Sequence, residues 1–223
     1  MADNATHRLL ILRAGATDWD LADRVQGRTD LPLAPRGREA ITKVIERLGH
    51  PPLAVVLSAE DEASRASAEL LAEASRSKVV LVPSLAERSL GLWEGVLRAE
   101  LEDRFCRAGK RWGENPSCVT PPEGESSDEF AERVISGLKR AMTRVKAKGS
   151  RRSSLGPPMV GVVLRPIAEA VVRCSLAGLP ATEIATILRD RPDPLWLDVD
   201  VEADWSMPLQ AKVTRTTEAA SAA

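Results

Sequence analysis

Four aliphatic residues in succession, Leu9-Leu10-Ile11-Leu12, run straight into Arg13-Ala14-Gly15-Ala16-Thr17. A short apolar run that ends at a glycine and turns polar is a buried strand emptying into a loop. In open α/β sheets the loops beyond the carboxyl ends of the strands hold ligands, and Arg13 falls there.

The rest of the chain repeats that beat. Pro35–Leu48 carries Ala40, Ile41, Val44, Ile45 and Leu48 at helical spacing and stops at Gly49-His50-Pro51-Pro52. Leu53–Leu57 is a second apolar strand, Glu62–Ser75 a helix rich in Ala, Leu and Glu, and Val79–Val82 a third strand ended by Pro83. Leu85–Pro122, with Trp93, Phe105, Trp112 and many charges, breaks the beat and predicts a mostly helical excursion over the carboxyl edge of the sheet. Ser126 and Glu129 have capping-box spacing ahead of a long apolar face from Phe130 to Val145. Lys148–Pro158 is a basic loop, Met159–Leu164 the fourth strand, Pro166–Ala177 a helix and Leu195–Val201 a further strand, with Trp205–Val213 expected beside it. Alternating strands and helices imply parallel pairing with right-handed crossovers. The expected fold is a three-layer α/β/α sandwich with a mostly parallel sheet. It forms one domain over 1–213 with a helical insertion at about 87–122, and the small-residue tail 214–223 is expected to be disordered.

Composition narrows the function classes. A net charge of −1 exerts no pull toward nucleic acid or anionic membrane. Met1–Arg8 lacks the apolar core of a signal peptide, and no stretch approaches the roughly 18 apolar residues of a membrane span. Cys106, Cys118 and Cys174 are odd in number and lack metal-ligand spacing, so a reduced, cytoplasmic protein without metal or cofactor is expected.

Leu12-Arg13-Ala14-Gly15-Ala16-Thr17, followed by Trp19, Arg24, Gln26-Gly27, Asp30, Leu33 and Gly37, resembles the opening signature of the histidine phosphatase superfamily, phosphoglycerate mutase-like branch. That signature reads Arg-His-Gly, and here Ala14 stands at the histidine. The resemblance implies phosphoryl transfer through an imidazole nucleophile, with two arginines and a second histidine around the phosphoryl oxygens and a carboxylic acid protonating the leaving oxygen.

Position by position, Arg13 matches the first arginine and Glu87, in Leu85-Ala86-Glu87-Arg88-Ser89-Leu90-Gly91, matches the acid. Ala14 has no lone pair. Aligned without gaps on Ser58 and Ala68-Glu69, the second arginine falls on Ala63, and Arg65 lies two residues on, about 200° around a helix. Arg165 stands at the second histidine, and Pro166 removes one backbone N–H from the helix start. Removing a nucleophile in a comparable covalent mechanism costs about 10⁴–10⁶ in rate. Neither His7, ahead of the first strand, nor His50, after the first helix, can substitute, since both fall at the opposite sheet edge and read as solvated polar residues.

The resulting expectation is a pseudoenzyme with the family fold, binding an anionic small molecule or a protein partner and, as the resemblance implies, able to form a homodimer. The alternative is a weak phosphatase or mutase on phosphate monoesters that works without a phosphohistidine. Candidate anion-binding residues are Arg13, Arg165, Asp20, Gln26, Gly27 and Arg65. Arg13 and Arg165 are expected to share one cleft, where Asp20, Glu87 or Glu94 could neutralise them, and Arg165 is long enough to reach Glu87 and plug it. Trp19, Trp93 and Trp112 read as packing anchors. The basic run Lys139, Arg140, Arg144, Lys146, Lys148, Arg151 and Arg152 reads as a helix C-terminus with a solvated loop, since no aromatic residue interleaves with it as single-strand binding requires.

Overall fold

The computed structural model describes residues 6–116, 119–149, 158–203 and 205. The expected tail 214–223, the loop residues 150–157 with Arg151 and Arg152, and the strand expected over 205–213, apart from Trp205 itself, lie outside the described residues, as does Cys118.

Five strands form one sheet: β1 (Thr6–Arg13), β2 (Val55–Ser58), β3 (Val79–Leu81), β4 (Met159–Leu164) and β5 (Leu195–Asp200), in the order β3-β2-β4-β1-β5. The β2–β3, β2–β4 and β1–β4 pairs are parallel, and β5 alone runs antiparallel on β1. The apolar run Leu9–Leu12 is the reason for the layering. Leu9 and Ile11 enter one core cluster, Leu10 and Leu12 the other, and all four are at most 2 % exposed. Burying each such side chain stabilises the fold by about 1.5–3 kcal/mol. A strand buried on both faces needs a helical layer on each side.

On one side lie α2 (Pro35–Leu48) and α3 (Glu62–Ser75), packing Ile41, Ile45, Ala68 and Leu71 onto Leu10, Leu12, Val56 and Val163. The other layer holds α4 (Leu101–Glu114), α5 (Ser127–Gly149), α6 (Pro166–Ala177) and α7 (Glu183–Asp190), with a short α1 (Asp18–Leu21) in the loop after β1. Prolines open α2 and α6 at a position that needs no N–H donor. Thr17 and Asp20 form a capping box for α1, and Asp61 caps α3. The Ser126 hydroxyl and the Glu129 backbone N–H meet at 3.2 Å, with the Ser126 hydroxyl donating back to the Glu129 carboxylate at 2.6 Å, as their spacing implied.

Two expectations need correction and one is refined. His7 is not solvated but 1 % exposed, because β1 is internal to the sheet and covered on both faces. The segment after β3 contains 3₁₀ turns at Pro83–Leu85, Gly91–Trp93 and Arg98–Glu100 before α4, and α4 is itself interrupted at Cys106, whose φ is 49°. The basic run is partly structural, since the Lys139 ammonium donates to the Ala203 carbonyl at 2.7 Å. Trp93 and Trp112 do anchor the core, 0 % and 2 % exposed and edge-on at 5.4 Å. No helix among the described residues is long and apolar enough to cross a membrane.

Candidate active site

The carboxyl end of β1 delivers Arg13 and Ala14, and that of β4 delivers Arg165 at the start of α6. Ala14 is 7 % exposed, its methyl packed in the α2–α3 layer. Ser67 receives the next backbone N–H, from Gly15, at 2.9 Å.

Arg13 and Arg165 are both neutralised, by different carboxylates. Arg165 is 2 % exposed and forks onto Asp20, Nη1 to Oδ2 at 2.8 Å and Nη2 to Oδ1 at 3.0 Å. Burial pushes the Asp20 carboxyl up, but the Arg165 guanidinium outweighs it and holds the group below its usual value. The expected contact of Arg165 with Glu87 is therefore corrected: α1 brings Asp20 closer, and a bidentate fork satisfies both oxygens at once. Arg13 Nε donates to the fully buried Glu169 of α6, and Arg13 Nη2 donates to the Ile187 carbonyl at 3.0 Å. Glu169 also accepts from Arg173 Nε at 2.7 Å, and Arg173 Nη2 reaches the Asp193 carbonyl at 2.8 Å. Sequence reasoning missed Glu169, although a Glu and an Arg four residues apart on an otherwise apolar helix signalled a buried pair.

Glu87 has a different environment. It is 3 % exposed and accepts backbone N–H groups from Arg88 at 2.8 Å, Ile167 at 2.8 Å and Ala168 at 3.1 Å. The last two are free donors of the first turn of α6, the turn that would otherwise present an anion site. Pro166 contributes no donor, and the chain's own carboxylate takes the two that remain. Burial nonetheless pushes Glu87 up to about 7, against the lowering pull of these donors and of Arg165.

The single cleft expected for Arg13 and Arg165 is two. A small cavity of about 190 Å³ is lined by Gln26, Gly27, Asp61, Glu87 and Arg165 among others, and a larger one of about 560 Å³ holds Arg13, Ala14 and Asp20. Arg165 lines the first and Asp20 the second, so their ion pair forms part of the wall between them. Gln26 and Gly27 line the small cavity and shape its turn. The Gln26 side chain accepts from Thr17 and donates to the Thr29 carbonyl at 3.0 Å. Glu94 holds the N–H groups of Arg28, Thr29 and Leu90 at 2.8–3.0 Å. A Cβ on Gly27 would lie 2.5 Å from the Arg88 carbonyl oxygen, so only glycine fits. Arg65 is excluded from both cavities: its half-exposed side chain reaches toward Glu69 at 4.0 Å on the outer face of α3. Ala63, on which the second arginine of the family falls, is 1 % exposed.

Other chemistry is weak here. Burial pushes the Cys174 thiol up to about 11, which removes it as a nucleophile. No cluster of three or more His, Cys, Asp or Glu side chains suited to a metal exists among the described residues.

A sheet of this order with a candidate site beyond the ends of β1 and β4 defines a phosphoglycerate mutase-like α/β protein, and the family model for the histidine phosphatase superfamily (branch 1) matches residues 9–186. The chain belongs to that superfamily. It is 28 % identical over 178 residues to a Photorhabdus laumondii protein named probable phosphoglycerate mutase GpmB, covering 78 % of this chain and 76 % of the relative. Over 137 residues it is 27 % identical to phosphoserine phosphatase 1 of Hydrogenobacter thermophilus, covering 61 % and 65 %. Its fold superposes on the native structure of mycobacterial glucosyl-3-phosphoglycerate phosphatase with a TM-score of 0.69 at 24 % identity, over 86 % of this chain and 89 % of that one.

Proposed function

We propose that this chain keeps the histidine phosphatase fold without the phosphoryl-transfer chemistry and acts by binding, to a small ligand or to a protein partner in the cytoplasm. The observation that carries this reading is that the groups aligned with the family's reaction are either missing or already bonded within the chain. Ala14 offers a buried methyl where an attacking nitrogen is needed. Arg13 is held by Glu169 and Arg165 by Asp20, so neither cation is left for developing phosphoryl charge. Loss of one preorganised donor costs about 2.7–4 kcal/mol of transition-state stabilisation, and two are withdrawn. The aligned positions are also split between two cavities, Arg13 and Ala14 lining the larger and Glu87 and Arg165 the smaller, so they do not converge on one phosphoryl site. Homodimerisation is part of the same proposal and rests on family resemblance.

The rival reading, slow phosphomonoester hydrolysis by direct attack of water, has one observation in its favour. A Glu87 carboxyl raised to about 7 is part-protonated at neutral pH and could serve as the acid. The names of the relatives suggest the esters to try. Assays with 3-phosphoglycerate, phosphoserine and 4-nitrophenyl phosphate are expected to show no turnover above the uncatalysed rate, and no phosphorylated protein. Turnover that disappears in Glu87→Gln, or a covalent phosphoenzyme, would overturn the proposal.

A further inference from the structure

Besides Arg13 and Ala14, the larger cleft is lined by residues of α2 and α7, which align with none of the family's reaction positions. One wall is α2, with Ile41 and Val44, and the other is α7, with Leu188. Around this apolar floor stand Arg47, Arg189 and Arg191, all exposed. Arg47 lies 3.3 Å from Asp193, but both side chains are more than two-thirds exposed, and such a pair contributes little in water. Arg189 and Arg191 make no ion pair or hydrogen bond among the described residues. Of the carboxylates lining the cleft, Asp20 pairs with Arg165, Asp23 with Arg98 and Asp193 with Arg47, which leaves Arg189 and Arg191 without one. Arg191 also ends α7 in the left-handed conformation (φ 44°, ψ 63°), where glycine is the usual occupant and a side chain costs about 1–2 kcal/mol.

An apolar floor selects for hydrocarbon, and an uncompensated cationic rim selects for negative charge. We propose that this part of the cleft binds a small organic anion, its carboxylate or phosphate end on Arg189 and Arg191 and its apolar body along Ile41, Val44 and Leu188. The cleft, about 560 Å³ in all, is of the size that encloses a metabolite-sized ligand. Guanidinium groups pair with either oxyanion in the same forked geometry, so the class of the head group stays common to both. The site does not depend on the loss of phosphoryl transfer: ligand binding and phosphomonoester turnover are read separately, and either can fail alone.

Calorimetric titration of the full chain with octanoate, octan-1-ol and inorganic phosphate separates the contributions. Octanoate is expected to bind one to one, about tenfold or more tighter than the alcohol, which lacks the charge, or phosphate, which lacks the body. Arg189→Glu/Arg191→Glu should weaken octanoate by about tenfold or more without lowering the unfolding temperature, since both residues are exposed. Val44→Trp, which fills the floor and leaves the charges in place, should do the same. Octanoate that fails to saturate at about 20 mM, an affinity unchanged in the double variant, or phosphate binding as tightly as octanoate would each overturn the proposal.

Discussion

Asp20→Asn isolates the ion pair between the two cavities. The substitution keeps the shape of the side chain and removes its charge, leaving the Arg165 guanidinium, 98 % buried, without its directly bonded carboxylate. Breaking a buried pair by deleting one partner costs about 3–5 kcal/mol, because the remaining charge cannot be rehydrated. For a chain of this size each kcal/mol lowers the midpoint of thermal unfolding by about 2–4 °C, so a fall of roughly 6–20 °C is expected. The cost has a pH signature. Asp20 titrates below its usual value in the folded state, so its contribution is fully present above the unfolded-state pKa near 4 and is lost as pH falls through the depressed folded value. The gap between wild type and Asp20→Asn in urea unfolding should therefore be widest at pH 6–8 and narrow steeply toward pH 3. The double variant Asp20→Asn/Arg165→Met should recover most of the loss, giving a coupling energy of about 2 kcal/mol or more. A single variant costing under about 1 kcal/mol at pH 7, or strictly additive losses, would show that water and not Asp20 compensates Arg165.

The Glu87 carboxyl behaves in the opposite sense: raised to about 7 in the fold against about 4.5 unfolded, it contributes stability below pH 4.5 that is lost as pH rises through 7. Urea titrations at pH 5 and 8 should show wild type losing about 2.5 kcal/mol relative to Glu87→Gln, and a difference that is flat or reversed would refute this. Arg88, 1 % exposed, donates to the carbonyls of Pro116, Val119 and Glu125 at 2.8–2.9 Å, so Arg88→Ala should cost at least about 3 kcal/mol in unfolding free energy and speed amide exchange over 119–125. Ala14→His/Arg165→His is expected to stay without phosphatase turnover, because Arg13 remains on Glu169 and no arginine stands at Ala63; recovered turnover would show that these two features are dispensable.

Much of the architecture was legible because the signals were local. Leu9–Leu12 and Val160–Leu164 are apolar runs with hard stops, and Pro35–Leu48, Glu62–Ser75 and Pro166–Ala177 carry their own punctuation, so those elements fall where the sequence places them. The α7 helix is weakly signalled although Ile184, Ile187 and Leu188 repeat at helical spacing, because its eight residues start without a side-chain cap. The site was less legible. Which residues align with the family could be read, but not how they pair: Arg13 and Glu169 are 156 positions apart, and Asp20 and Arg165 145. Only a folded sheet decides which carboxylate wins each guanidinium. Arg165 meets Asp20 before Glu87 because the α1 turn sets Asp20 beside it and α6 claims Glu87 first.

The partition between the two cavities has a consequence for how such a chain can change. Because Arg165 and Asp20 are each other's counter-ion, neither can be exchanged alone without stranding the other, and the same holds for Glu169 between Arg13 and Arg173. Such a polar centre works as a keystone: alterations must arrive in matched sets or the arch sags.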